Sequence, residues 1–260
     1  MKNLQIAISI VTYNGDDVFK TLANLQQEIL PFFPCRIYLY DNHSTSAFQK
    51  KLAEYQSEQI TIHYGAENRG FGHGHNYNAR QATEELFLIC NPDILVSQKS
   101  FQRMLRYLEK EPQRMVAPKV LNTDGSTQFL VRRRLAVFDY FLRFLPGNFL
   151  KKIFQRRLAY FECRDLTDEV QEIAFASGCF MFTSRAAFLA VEGFDEGFFM
   201  YFEDNDLCQK YRQVQQKIIY LPQAEVTHFY AKGAHRSFKL FKIFLQSMIR
   251  YFNKWGWQFF

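Results

Sequence analysis

Three carboxylates, Glu203, Asp204 and Asp206, stand within four residues in FFMYFEDNDLC, directly behind a run of aromatics. Acids set against aromatic walls suit a general base, because desolvation raises a carboxylate's proton affinity into a useful range. They equally suit the first turn of a helix, where the macrodipole favours acids, since Leu207, Tyr211 and Val214 follow at helical spacing. This segment alone leaves both readings open. Asn91-Pro92-Asp93 closes the apolar run LFLIC. An acid just beyond a buried strand can reach a ligand at the sheet's edge, and a nucleotide diphosphate needs a divalent cation held by one or two carboxylates. A turn formed by Pro92 is the plainer alternative. His228 in EVTHFYAKG also follows a strand, where a lone histidine is usually structural. ENRGFGHGHN carries three glycines within five residues, for close approach to a ligand or as a flexible loop. It matches neither the phosphate-loop pattern nor the dinucleotide fingerprint.

Elements that alternate strand and helix must position these residues. The strand-like runs over the first 120 residues are QIAISIVT, RIYLYDN, QITIHYG and LFLICNPD, and helical stretches around Val18 to Ile29, SAFQKKLAEYQ, NYNARQATE and KSFQRMLRYLEK separate them. That rhythm predicts an α/β fold with a mostly parallel sheet flanked by helices, which binds ligands at the carboxyl ends of its strands. Residues 121–170 read as an insertion of aromatics and arginines. EIAFASGCFMFTSRAAFLAVEGF then gives a strand and a helix, IIYLPQAEVTHFY closing strands, and SFKLFKIFLQSMIRYFNKWGW a long amphipathic helix.

With 260 residues and 48% hydrophobic content, the chain has ample material for a core. Its five cysteines lie far apart with no metal-ligand spacing, which predicts reduced, buried thiols in a cytoplasmic protein. The N-terminus reads as a first strand rather than a signal peptide, and no stretch approaches the length of a membrane span. The net charge of +6 is concentrated: residues 131–164 hold nine Arg/Lys against two acids, and residues 235–260 five against none. Such asymmetry points to an anionic partner.

In order along the chain, VTYN, DN-x-S, N-x-GF-x-x-G-x-N, NPD, SG-x-x-M, GFDE-x-FFMY-x-ED-x-DL and V-x-H resemble the motifs of the inverting family-2 glycosyltransferases of the GT-A fold. Within that family the chain is similar to the bacterial rhamnosyltransferase-like branch, which builds surface polysaccharide. The resemblance implies that Asp93 bridges Mg²⁺ or Mn²⁺ to the diphosphate, with Asn91 where the usual motif has its first acid and His228 as a further metal ligand. It implies a nucleotide-binding edge of Thr12, Tyr13, Asn14, Asp41 and Asn42, and a base and ribose loop with Asn68, Gly70 and Asn76. Asn78 departs from the glycine of many relatives. Asp204 matches the general base, while Glu203 and Asp206 tune its field and hold the loop.

The resemblance also implies transfer, with inversion, of L-rhamnose from dTDP-rhamnose to a saccharide acceptor on a lipid diphosphate; a UDP-hexose donor is the alternative. It gives a catalytic domain over about 1–230, with a nucleotide-binding half to about 120 and an acceptor half beyond. A basic helix over 231–260 completes the chain. A nucleotidyltransferase would carry a glycine-rich basic loop where VTYNGDD stands. A nucleic-acid partner is disfavoured because no recognised motif accompanies the basic residues, which interleave with Leu, Ile and Phe at helical spacing. That pattern instead predicts peripheral attachment to an anionic membrane, on its inner face, with packing on the core as the alternative for the last helix.

Overall fold

The computed structural model describes residues 4–145, 147, 149–229 and 237–260. In chain order the elements are β1 (Ile6–Thr12), α1 (Asp17–Glu28), β2 (Cys35–Asp41), α2 (Ser46–Ala53), β3 (Ile60–Tyr64), α3 (Phe71–Gln81), β4 (Leu86–Cys90), β5 (Ile94–Val96), α4 (Gln98–Lys110) and β6 (Met115–Leu121). The insertion folds as α5 (Val137–Phe144), α6 (Phe149–Ile153) and α7 (Gln155–Phe161). After it come β7 (Gln171–Ile173), β8 (Phe180–Ser184), α8 (Arg185–Ala190), α9 (Glu203–Gln213), β9 (Ile218–His228) and α10 (Phe238–Trp255).

One sheet runs in the order β3-β2-β1-β4-β8-β6-β9-β5, with β7 also on β9. The pairs among β3, β2, β1 and β4 are parallel, as is β6 with β9. β8 runs antiparallel to both β4 and β6, so β4, β6 and β9 still share one direction. The expected parallel frame therefore holds for six strands, with β8 wedged into it and the short β5 and β7 antiparallel on β9. An antiparallel neighbour needs no crossover. The chain between β6 and β8 accordingly leaves and returns at the carboxyl end of the parallel strands, where ligands bind in such sheets, although β7 within it runs back along the first residues of β9.

Both faces of the sheet are covered, which is why its central strands read as unbroken apolar runs. Ile6, Ile8, Ile10, Leu86 and Leu88 pack with Val18 and Leu22 of α1 and Phe101 and Met104 of α4. Ala7, Phe87 and Ile89 face α3, α8 and α9, and Tyr140, Phe244, Tyr251 and Phe252 extend that second core. All five cysteines are buried thiols.

Two elements differ from expectation, and the last helix fits the alternative of packing on the core along one face. The glycine-rich stretch is a helix from Phe71 onward rather than a loop. Gly70 turns the chain into it at φ 88°, and any Cβ there would collide with the Phe199 carbonyl. Gly74 is small for packing: a Cβ on it would come within 2.6 Å of Val11 Cγ2 on β1 and 3.0 Å of Tyr40 on β2. IIYLPQAEVTH forms one strand, kept continuous by a register shift opposite Pro118 and Lys119. The last helix packs one face into the second core through Phe244, Ser247, Tyr251 and Phe252. The boundary expected at 230–231 lies outside the described residues.

Because Gly74 sets how closely α3 approaches the sheet, Gly74→Ala should lower unfolding free energy by about 1–3 kcal/mol. Urea denaturation of the two proteins measures it, and equal midpoints would show that the helix can stand farther off.

Candidate active site

The carboxyl ends of the parallel strands gather most of the residues singled out by the sequence. At the ends of β1 and β2, Thr12 and Asp41 are register partners and fully buried. Thr12 Oγ1 and Asp41 Oδ1 are both buried with no hydrogen-bond partner. Asp41 Oδ2 accepts from the Ser44 N–H and from Gln49 Nε2. Asn14, at φ 52°, accepts from the Thr45 N–H, and Tyr13 is exposed. Asn42 accepts from the Arg69 N–H and donates to the Gly70 carbonyl, while Asn68 accepts from the Gly70 N–H. Asn42 and Asn68 thus fix the turn that starts α3. Asn76 is engaged elsewhere: its amide donates to the Phe194 carbonyl and Glu196 Oε1 and accepts from the Phe194 N–H. It clamps the segment before the ED motif onto α3, and every polar atom of its side chain is used inside the protein. Asn78 lies in the core, donating to Ser9 Oγ and the Tyr38 carbonyl.

Beyond β4 a cleft of about 440 Å³ opens, lined among others by Asn91, Asp93, Arg132, Arg143, Glu203, Asp204 and His228. Antiparallel pairing of Ile94 with His228 sets Asp93 beside the end of β9, where the Phe229 N–H donates to its carbonyl. Asp93 Oδ1 lies 3.2 Å from His228 Nε2. Gln128 fixes that imidazole: its amide Nε2 donates to the His228 carbonyl, so its Oε1, 3.1 Å from His228 Nδ1, accepts a proton from that nitrogen. Nε2 then accepts from Asn91 Nδ2 at 3.4 Å and also faces Asp93 Oδ1, so the two acceptors together call for a positive charge between them. Orphaned buried oxygens on Asn91 and Asp93 add to the same demand. The donor set, one carboxylate and one imidazole, fits a divalent cation that takes its other ligands from phosphate and water. Among the described residues no cluster of three or more His, Cys, Asp or Glu could hold a metal without such help.

Glu203 and Asp204 open α9, so the first-turn reading and the cleft reading of these acids hold together. Asp204 is part-exposed at the cleft. Its Oδ2 accepts from the Gly178 N–H at 3.0 Å, and its Oδ1 from the backbone and side-chain nitrogens of Asn205. Burial pushes its carboxyl above the ordinary aspartate range, and the N–H bonds from Gly178 and Asn205 oppose that rise. Glu203 is buried, its Oε2 without a hydrogen-bond partner, and desolvation together with Asp204 raises it well above the ordinary range. Asp206 corrects the expectation that it tunes the base. Two residues on, it lies about 200° round the helix from Asp204. There it accepts from Trp255 Nε1 at 2.8 Å and pairs with Lys254 at 2.7 Å, outside the cleft. The aromatic run also divides. Phe198 and Phe202 are core, Phe199 is exposed, and Met200, Tyr201 and Phe202 line the cleft.

Arg132, Arg143 and Gln128 were not anticipated as site residues. The three consecutive arginines separate: Arg132 turns into the cleft wall, Arg133 pairs with Asp165 at 2.8 Å, and Arg134 lies 3.5 Å from buried Asp139. Counting charge hides this, but apolar neighbours Leu130, Val131 and Leu135 were a signal that one arginine would be buried.

Residues 7–190 match the family model described as Glycosyl transferase family 2. The chain belongs to that family. This family-2 chain is 27% identical to rhamnosyltransferase WbbL of Escherichia coli (strain K12) over 95% of its own length and 92% of that protein's. It is 26% identical to N-acetylglucosaminyl-diphospho-decaprenol L-rhamnosyltransferase of Mycobacterium tuberculosis (strain ATCC 25618 / H37Rv), over 89% of this chain and 78% of that one. Among solved structures it is similar to GalNAc-T7, determined with UDP, GalNAc and Mn²⁺, with TM-score 0.68 and 17% identity over 87% of this chain. It is also similar to the mannosyltransferase PcManGT from Pyrobaculum calidifontis, in complex with GDP-Man and Mn²⁺, with TM-score 0.64 and 17% identity over 96% of this chain. This chain covers 43% of the first of those chains and 64% of the second. Those structural likenesses establish the GT-A fold. The family-2 chain is a rhamnosyltransferase-like glycosyltransferase of glycan biosynthesis.

Glu203 generates a pH-dependent expectation. The folded state holds its proton more tightly than the unfolded chain, so its contribution is most favourable below the unfolded value of about 4.3 and is lost as pH rises toward the raised folded value. Glu203→Gln should therefore raise Tm at pH 8, by about 2–4 °C, and have little effect near pH 4. A pH series of thermal scans checks this; a difference independent of pH would contradict it.

Proposed function

We propose that this family-2 chain transfers L-rhamnose from dTDP-rhamnose, with inversion, to a saccharide acceptor carried on a lipid diphosphate, in cell-surface polysaccharide assembly. The observation that carries the reading is Asp204, oriented by three hydrogen bonds on the same cleft as Asp93 and His228. The choice of sugar and acceptor is supported by the names of the relatives, both rhamnosyltransferases, one acting on a diphospho-decaprenol. Orphaned oxygens of Thr12 and Asp41 support a donor nucleotide at the ends of β1 and β2.

Asp93 and His228 would hold Mg²⁺ or Mn²⁺, which when bound supplies positive charge for the departing diphosphate. Asp204 performs the proton transfer. A carboxylate offers about four lone-pair sites. Gly178 and Asn205 occupy three, leaving one to accept the acceptor's O–H. As that proton moves to Asp204, the acceptor oxygen bonds to the anomeric carbon from the face opposite the leaving diphosphate, so configuration inverts without a covalent enzyme intermediate. The raised proton affinity of Asp204 suits it to the task, and kcat/KM should fall on the acid side at a pH above the ordinary aspartate range.

Peripheral attachment to the inner membrane face is part of the proposal. Phe141, Phe149, Ile153, Phe238 and Phe260 are exposed beside exposed Lys152, Arg156, Lys239 and Lys242. Ring contacts of Phe138 with Phe141, Phe154 and Phe260 make part of this surface continuous. No described helix is long and apolar enough to cross a membrane.

Two experiments test these proposals. Asp204→Asn should cut transfer by about 10²–10⁴-fold while keeping metal-dependent dTDP binding, and Asp93→Ala should weaken that binding. Transfer within tenfold of wild type would remove Asp204 from its role, unchanged affinity in Asp93→Ala would remove the metal ligand, and turnover of UDP-hexoses in preference to dTDP-rhamnose would replace the donor. For the membrane, Lys239→Gln/Lys242→Gln should reduce co-sedimentation with anionic vesicles by roughly 10- to 30-fold, at about 1 kcal/mol per lysine. Equal binding by both proteins would count against the surface.

A further inference from the structure

Arg132 is a buried cation, 7% exposed, on the wall of the cleft, and no carboxylate among the described residues pairs with it. Its Nη1 donates to the carbonyls of Phe129 and Val131, at 2.6 and 2.7 Å, and its guanidinium lies over the Phe161 ring. Those contacts fix its direction, and only the more distant fields of Glu162 and Asp204 act on its charge. Arg143 of α5 lines the same cleft. Its acid, Glu162, is 3.8 Å away and is already held by Arg164 at 2.7 Å. Burial and the neighbouring Arg143 lower the Arg132 pKa to about 10, so the two cations already feel each other. Burying like charges together is costly unless a counter-charge joins them.

We propose that Arg132 and Arg143 form an anion subsite on the acceptor side of the cleft, and that its ligand is the diphosphate of the lipid-linked acceptor. The inference rests on the acceptor reading above and names the residues that would recognise its charged group. Two features favour the acceptor over the donor. The donor's diphosphate already has a place at Asp93 and His228, at the ends of β4 and β9. The arginines instead belong to the insertion, and they share their wall with Phe144, Leu240 and Phe244, beyond which Phe141 and Phe238 are exposed. A diphosphate joined to a prenyl chain needs this sequence of surfaces, planar cationic forks followed by apolar side chains.

Arg132 also holds two backbone carbonyls, so the test uses Arg143→Gln, with Arg143→Lys as the charge-conserving control. Calorimetry with inorganic pyrophosphate in EDTA removes any contribution of metal at Asp93. Wild type should bind, Arg143→Gln should bind roughly 10- to 100-fold more weakly, and the lysine variant should fall between them. Metal-dependent dTDP affinity should be unchanged in Arg143→Gln. Transfer to N-acetylglucosaminyl-diphospho-lipid should lose the same factor in kcat/KM, while transfer to the alkyl glycoside of the same sugar should not. Absent pyrophosphate binding by wild type, or equal binding by wild type and Arg143→Gln, would overturn the subsite. A fall in dTDP affinity would reassign the arginines to the donor and overturn the acceptor assignment. If wild type transfers nothing to a lipid-diphosphate acceptor, the acceptor assignment falls with the functional reading, and the pyrophosphate measurement still decides whether the anion subsite exists.

Discussion

Gly178 and Cys179 hold the two halves of the cleft in register. The Gly178 N–H donates to Asp204, and one residue on, the Cys179 carbonyl accepts from the Asn91 N–H at 2.8 Å. Asp204 and the NPD turn are thereby tied to adjacent residues, and a shift of either is felt by the other. A Cβ on residue 178 would come within 3.2 Å of Asp204 Cβ, so the closeness depends on glycine. The approach from the other side is strained. Tyr201 and Phe202 sit at φ 71° and 65°, each a conformation that costs a bulky residue about 1–3 kcal/mol. That strain turns the chain from the aromatic run into α9 with Asp204 facing the cleft.

The electrostatics follow from where the insertion places its charges. Its basic excess suggests a cationic surface, yet much of it is spent inside. Buried Asp139 lies 2.6 Å from Arg157 and 3.5 Å from Arg134, Glu162 serves Arg164 and Arg143, and Arg133 pairs with Asp165. On α10, Arg250 and Lys254 pair with Asp195. Paired surface charges contribute little to long-range attraction. The cationic character that remains is split between a few exposed lysines and arginines near the aromatic surface and, in the cleft, Arg132 with Arg143, whose acid is shared with Arg164.

The strands over the first 120 residues are legible because each is an apolar run ended by turn residues, and the motifs that carry Asp93, Asp204 and His228 meet at one cleft. What stayed hidden depends on contacts that a sequence does not display. Glycines at 72 and 74 signal flexibility locally, but here they are the small faces of a helix against Phe194 and Val11. Strand direction is absent from hydropathy, so β8 gave no sign that it would separate β4 from β6. Asp206 was grouped with Asp204 by nearness in sequence, whereas helical phase sends the two to opposite sides. A count of the basic residues over 131–164 does not separate Arg132 from its neighbours, whereas burial does.

Asp206 explains why the chain's last helix belongs with the site. Through Trp255 and Lys254 it fastens the end of α10 to α9. About two turns earlier, Ser247 donates to the Met200 carbonyl at 2.8 Å, inside the aromatic run. Phe244, Tyr251 and Phe252 of the same helix surround the ring of Phe202, the left-handed residue immediately before Glu203. The polar contacts fix where α10 lies, and the aromatic contacts supply the packing that offsets the strain at residues 201 and 202. An amphipathic helix judged from sequence as a choice between core and membrane can do both, because its two faces answer separate requirements. The inward face holds the backbone that aims Asp204, and the outward face carries Phe238, Lys239 and Lys242 beside the apolar surface of the insertion. The energetic consequence is that anything which lifts α10 from the domain also releases the strained turn, so the orientation of Asp204 depends on a segment far along the chain from most of the motifs that define the family.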